Sequence, residues 1–128
     1  MLPVLNLPTG SRPGELLLDM ARLDASGRLS ARGFLAALHW DIGHRVDAAV
    51  VAGAIVIGSA ATGLHAVGGR GELALSAAAR RMCRIMHRAP VLVSACPARD
   101  VLVVHPASLV AELLRRWYAE AVGGPDGG

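Results

Sequence analysis

All thirteen basic residues of this 128-residue chain are arginine, and none is lysine. A guanidinium group is planar, always charged, and offers a rigid fork of N–H donors that matches phosphate or carboxylate in a bidentate way. Against ten acidic residues the formal net charge is +3, a modest excess that admits a polyanionic partner without requiring one. Other chemistry is thinly provided. The five histidines (His39, His44, His65, His87 and His105) and the two cysteines (Cys83 and Cys96) are scattered, with none of the ligand spacings of a zinc site. Gly68-Gly69-Arg70-Gly71 has the glycines of a phosphate loop but neither its lysine nor a dinucleotide-binding spacing, and it reads as a tight turn. No nucleophile elbow surrounds a serine. The chain reads as a non-enzyme, with no catalytic residue, no metal and no cofactor expected.

The elements that must position the arginines are written twice. The first copy runs Leu23-Asp24-Ala25-Ser26-Gly27-Arg28-Leu29, then an apolar stretch to Leu38-His39-Trp40, then an aliphatic run from Val46. The second runs Val67-Gly68-Gly69-Arg70-Gly71-Glu72-Leu73, then an apolar stretch to Cys83-Arg84-Ile85, then an aliphatic run from Val91. Gly27 and Gly71 lie 44 residues apart, and Trp40 and Ile85 lie 45 apart. A one-residue gap near Ala31 reconciles the two spacings. Such a period implies two supersecondary modules sharing one core.

Each copy reads as strand, turn, strand, short helix and hairpin. In the first, a strand is expected over Glu15 to Leu23, a turn at Ala25-Ser26-Gly27, and a short strand from Arg28. Ser30 is expected to cap a helix of about Ala31 to Leu38 that buries Phe34, Leu35 and Leu38. Val46–Val51 and Ala54–Ile57 form a hairpin around Ala52-Gly53. In the second, Leu73–Leu75 is a strand, Ser76 caps a helix of Ala77 to Cys83, and Val91–Val93 and Val101–Val104 form the hairpin through Pro97-Ala98-Arg99-Asp100. After Pro106, residues Leu109, Val110, Leu113, Leu114, Trp117 and Ala121 share one helical face, with Ser108 as the expected cap and Glu112 paired with Arg116. Gly123-Gly124-Pro125 stops that helix. The organisation is therefore an N-terminal arm and leading strand over 1–19, repeats over 20–63 and 64–106, a C-terminal helix over 107–122, and a tail over 123–128.

Composition bounds the core. Hydrophobic residues make up 53% and aromatic ones 3%, so the core is aliphatic. Two unpaired cysteines in apolar surroundings point to reduced, buried thiols and a cytoplasmic protein. The apolar start, Leu2 to Leu7, is broken by Pro3 and lacks a preceding basic residue, unlike a signal peptide. The uncharged stretch Ala48 to Leu64 is short for a membrane span and is broken by Gly53, Gly58 and Gly63, so a hairpin accounts for it better and no membrane partner is expected.

In these features the chain resembles the AbrB/MazE/SpoVT family of swapped-hairpin DNA-binding domains over residues 20 to 106. The family pattern is Gly-Arg-aliphatic-x-aliphatic-Pro, then an arginine, then Leu-Gly-aliphatic, then a valine-rich hairpin. In the second copy Gly71, Leu73, Leu75, Arg80 and Ile85 match. Glu72 stands for the usual Arg, Ser76 for Pro, Cys83 for Leu and Arg84 for Gly. In the first, Asp24, Gly27, Arg28, Leu29, Leu38, Gly43 and Val46 match, with His39 in place of the glycine. The resemblance implies two tandem swapped-hairpin repeats closing one pseudo-twofold barrel, so the expected fold is mainly β with short helices, with the C-terminal amphipathic helix read from the spacing after Pro106 beside it.

It also implies a function: a transcriptional regulator or antitoxin-like protein that binds duplex DNA. Carried over by position, Arg22, Arg28, Arg80 and Arg81 stand where the family places DNA-facing residues, with Arg32 and Arg70 close by. Arg28 of one copy and Arg80/Arg81 of the other would furnish one composite basic surface. The same residues also fit ordinary solvated surface charges. A second reading is a degenerate interaction or oligomerisation module that no longer touches DNA, supported by Glu72, which would repel phosphate, and by the C-terminal helix. That helix could cover its own barrel, hold a toxin-like protein partner, or join two chains as a homodimer.

Overall fold

The structure, a computed structural model, describes residues 15–123. The expected N-terminal arm and the tail beyond Gly123 lie outside those residues. The elements are β1 (Leu17–Arg22), β2 (Arg28–Ser30), α1 (Arg32–Leu38), β3 (Arg45–Val51), β4 (Ala54–Ser59), β5 (His65–Ala66), β6 (Glu72–Ala74), α2 (Ala77–Met82), β7 (Pro90–Cys96), β8 (Val101–Pro106) and α3 (Ala107–Ala121). A single turn of 3-10 helix, Pro97–Arg99, joins β7 to β8. Among the described residues the fold is mainly β with three α-helices.

Six strands form one antiparallel sheet in the order β1-β7-β8-β4-β3-β5, and β2 and β6 form a separate two-stranded ribbon. The pairings are exchanged between the two copies. The first copy's β1 lies on the second copy's β7, and the second copy's β5 lies on the first copy's β3. Like elements meet like: β2 pairs with β6, with Leu29 opposite Leu73, and β4 pairs with β8. The sheet does not close on itself as the expected barrel. β5 is two residues long because 60–64 are spent turning out of β4, and β2 and β6 satisfy each other instead of joining the sheet edges.

Period-2 burial explains the core. In β8 the pattern alternates strictly, with Leu102, Val104 and Pro106 inward. Val46, Ile55, Ile57, Val91, Val93, Leu102 and Val104 meet Leu29 and Leu73 in one aliphatic cluster, closed by Leu35, Leu38, Trp40, Cys83 and Ile85. Phe34 packs against this cluster only partly buried. Cys83 is buried and Cys96 half-buried, both as free thiols. Burial pushes the Cys83 thiol above its ordinary pKa. The uncharged stretch 48–64 is the β3–β4 hairpin, turning through Ala52 and Gly53, both at positive φ. That is the geometry a two-residue hairpin turn requires. No helix among the described residues is long and apolar enough to cross a membrane.

Two local expectations are corrected. Ser30 does not cap α1: it is held in β2 opposite Glu72, and Ala31 occupies the N-cap without a side-chain bond. Ser108 does not cap α3, because β8 runs directly into the helix with Pro106 at the N-cap. The expected pair of Glu112 with Arg116 is present at 3.9 Å, and Glu112 also bonds to Arg115 at 2.6 Å. Ser76 does cap α2, its hydroxyl accepting the Ala79 N–H at 3.0 Å. Helix α3 leaves its apolar face open: Leu113, Leu114, Trp117 and Tyr118 are each about half exposed, and none of its residues is buried.

Candidate nucleic-acid interface

Four of the six predicted arginines, Arg28, Arg32, Arg70 and Arg80, lie at the β2–β6 ribbon and its entry turns. The two entry turns have the same backbone wiring. In the first, Asp24 N–H donates to the Arg28 carbonyl and Gly27 N–H to the Asp24 carbonyl. In the second, Gly68 N–H donates to the Glu72 carbonyl and Gly71 N–H to the Gly68 carbonyl. Beyond the turns, Leu75 N–H donates to Gly27 at 3.0 Å and Ala31 N–H to Gly71 at 3.1 Å, so each turn is stitched to the other copy.

An arginine from the opposite copy lies over each turn. Arg80 of α2 sits on Gly27, where a Cβ would come within 2.7 Å of its guanidinium carbon. Arg32 of α1 sits on Gly71, where a Cβ would come within 2.6 Å of its side chain. Gly27 and Gly71 also have φ of +79° and +74°, so glycine is needed at both for conformation, and at Gly71 also for clearance of the Arg32 stem. The Nε of Arg80 donates to the Leu75 carbonyl at 3.1 Å and that of Arg32 to the Arg70 carbonyl at 3.0 Å. These bonds fix the side chains at their root. Arg28 extends from β2, exposed, directly after Gly27. Arg28 and Arg80 therefore flank one turn, with Arg81 exposed next to Arg80 on α2, and Arg32 and Arg70 flank the other.

Arg22 does not join them in the same way. It ends β1, and its guanidinium donates to the Arg88 carbonyl in the loop after α2, at 2.8 Å. None of the six predicted guanidinium groups forms an ion pair within 4 Å among the described residues, where the ion pairs are those of Glu112. Arg84 and Arg88 are exposed turn residues, both at positive φ.

The carboxylates at the site are occupied by backbone. Asp24 Oδ1 accepts the N–H groups of Ser26 at 2.8 Å and Arg28 at 2.9 Å. The Arg28 N–H foremost, helped by Ser26, by the Arg28 charge and by Gly27, holds the Asp24 carboxyl below the usual carboxylate range against the opposing effect of desolvation. Glu72 does the corresponding work in the second turn. Its Oε1 accepts the Arg70 N–H at 2.9 Å, and the carboxylate folds back over Gly68, the counterpart of Asp24. This role of Glu72 is not readable from the pattern Gly-Glu-Leu alone. The paired absence of a side chain at Gly68 is the signal that could have shown it.

Two left-handed residues were not legible in the sequence either. His39 and Arg84, which stand where the family pattern has glycine, have φ of +61° and +57°. After each, the chain closes with matching bonds, Trp40 N–H to Leu35 and Ile85 N–H to Arg80. Trp40 is buried, stacks on His44, and donates its indole N–H to Asp100 in the β7–β8 turn at 2.7 Å. No cluster of metal-ligating side chains occurs among the described residues. Comparison with protein-family models, with curated proteins and with solved structures finds no match to this chain.

Proposed function

We propose that this protein is a DNA-binding transcriptional regulator, of the antitoxin-like or autoregulatory kind, whose single chain stands in for a dimer of AbrB/MazE/SpoVT-like swapped-hairpin domains. The observation that carries the reading is the set of arginines around the β2–β6 ribbon, two of which, Arg32 and Arg80, are held at Nε by backbone carbonyls, and none of which forms an ion pair within 4 Å among the described residues. Rooted arginines lose less conformational freedom on meeting a phosphate than free ones. The exchanged strand pairing supports the single-chain dimer, since each copy's leading strand lies on the other's hairpin. Glu72 weighs less against DNA than its charge suggests, because its carboxylate is turned into its own backbone turn.

The test is duplex DNA binding followed as a function of salt. The affinity should fall linearly in a log–log plot, with a slope set by the phosphates neutralised. Arg28→Ala and the pair Arg80→Ala/Arg81→Ala should each weaken binding across sequences and flatten the slope by about 1 for every phosphate no longer neutralised. Absence of binding to any duplex at low salt would sink the proposal. The second reading, an interaction module that does not touch DNA, is favoured by the open apolar face of α3. It would then be the survivor.

A further inference from the structure

The two halves of the sheet end differently. β1 runs along β7 for its whole length, from Leu17 opposite Ala95 to Arg22 opposite Pro90. Its counterpart β5 covers only Arg45 and Val46 of β3. The residues that would extend β5 are tied elsewhere: Gly63 N–H donates to the Ala60 carbonyl, and Leu64 N–H to the Asp47 carboxylate. The two-residue turn makes Val51 and Ala54 a hydrogen-bonded pair, so ladder alternation aims the backbone groups of Ala48 and Val50 at the open side. Among the described residues no strand pairs there. The edge run Ala48-Ala49-Val50-Val51 has no charge, no proline and no bulge, the devices that normally blunt a strand edge.

The side chains show the same vacancy. In the first half, Phe34 of α1 and Leu17 of β1 pack against the core. By repeat position their counterparts are Ala79 and Ala61, and Ala61 belongs to the turn between β4 and β5. What remains is a cleft of about 310 Å³ whose walls include Ala48, Val50, Ile55, Leu75, Ala79 and Met82. An open strand edge and a mostly apolar cleft, with His65 and Ser76 also in its wall, coincide, and the same molecule displays, at β1, the kind of segment that fills them.

We propose that the 48–51 edge of β3 receives an extended apolar segment of a partner polypeptide. The segment adds antiparallel to β3, as β1 adds to β7, and sets one large apolar side chain into the cleft beside Ala79. Backbone bonds to Ala48 and Val50 would supply affinity and the cleft would select the side chain. The proposal does not rest on DNA binding.

The full chain is titrated with a synthetic peptide of the sequence of residues 15–23, followed by amide NMR and hydrogen exchange. Saturable shifts centred on β3, with slowed exchange at Ala48 and Val50, are expected. Ala79→Phe puts a phenyl ring into the cleft at the position equivalent to Phe34 and should weaken binding by at least about tenfold. Ala48→Pro removes an outward N–H at an edge where proline is tolerated, and should weaken binding too. It decides alone if the Phe variant does not fold. Absence of shifts at β3, or binding unchanged in the folded variants, overturns the proposal. So does protection of the Ala48 and Val50 amides in the free chain that disappears on removing residues 1–14, which assigns the edge to this chain itself. A dimer dissolved by Ala79→Phe overturns it in favour of a second molecule of the same chain.

Discussion

The turn at Asp24–Arg28 and the turn at Gly68–Glu72 have one backbone and two chemistries. The first places its carboxylate at the start, on Asp24, and leaves position 28 to a guanidinium. The second has a bare glycine at the start and brings the carboxylate back from position 72. The backbone N–H groups at these turns need an acceptor whichever residue supplies it. Once Gly68 withdraws the carboxylate, the nearest side chain long enough to replace it is at 72, and an arginine there could not accept. The loss of one basic residue from the ribbon thus follows from the wiring of a turn. Equal scaffolds do not imply equal surfaces.

The largest expected effect tests whether the scaffolds are equal. Leu29 and Leu73 are fully buried partners across the ribbon. Truncating either to Ala should destabilise the fold by about 2–5 kcal/mol in chemical denaturation. Closely similar losses would sharpen the equivalence of the halves, and loss at only one position would break it. Next come the glycines. Gly27→Ala and Gly71→Ala should each cost about 1–3 kcal/mol through the left-handed backbone alone, with the displaced Arg32 stem adding to that at Gly71. Combining Gly71→Ala with Arg32→Ala should recover the steric part and leave the backbone part. Full recovery would show that the conformation there is not strained.

A smaller effect distinguishes the surfaces. Restoring an arginine with Glu72→Arg should steepen the salt dependence of DNA binding by about 1 in slope if the second turn faces phosphate. An unchanged slope would confine phosphate binding to the Arg28–Arg80 side. The smallest effect concerns pH. The Asp24 carboxyl titrates lower in the folded chain than unfolded, so its contribution is present above the unfolded pKa and is lost as pH falls through the folded one. Screening keeps it small at this exposed site. Comparing Asp24→Asn with the parent chain by denaturation should give a stability gap at neutral pH that closes on acidification. A gap independent of pH would assign the turn to the side-chain dipole, not to its charge.

The parts legible in the sequence were those fixed locally. Ala52-Gly53, Ser76, the Gly27 and Gly71 turns and the α3 stripe all declare themselves within a few residues, because a turn, a cap or an amphipathic face is a short-range matter. The rest depends on partners far along the chain. Ser30 has the chemistry of a cap, but the ladder with Glu72 claims its backbone first. Arg32 and Arg80 look like surface charges until the opposite copy's glycine is brought beneath them. The predicted barrel failed at β5, where hydropathy gave no warning that the connection from β4 would consume the strand. Of the candidate site, the residue types were readable and the division between the two turns was not.

The exchanged pairing of β1 with β7 also sets the order of events during synthesis. Leu17 waits for Ala95 and Arg22 for Pro90, so a chain emerging from the ribosome carries an unsatisfied leading strand until nearly the whole sheet is made. The β3–β4 hairpin can close early, while the ribbon and the outer strand must wait for distant sequence. Folding should therefore be slow for the chain's size and concerted at the end. During that wait Leu17, which packs against the core once the strand has docked, is left uncovered.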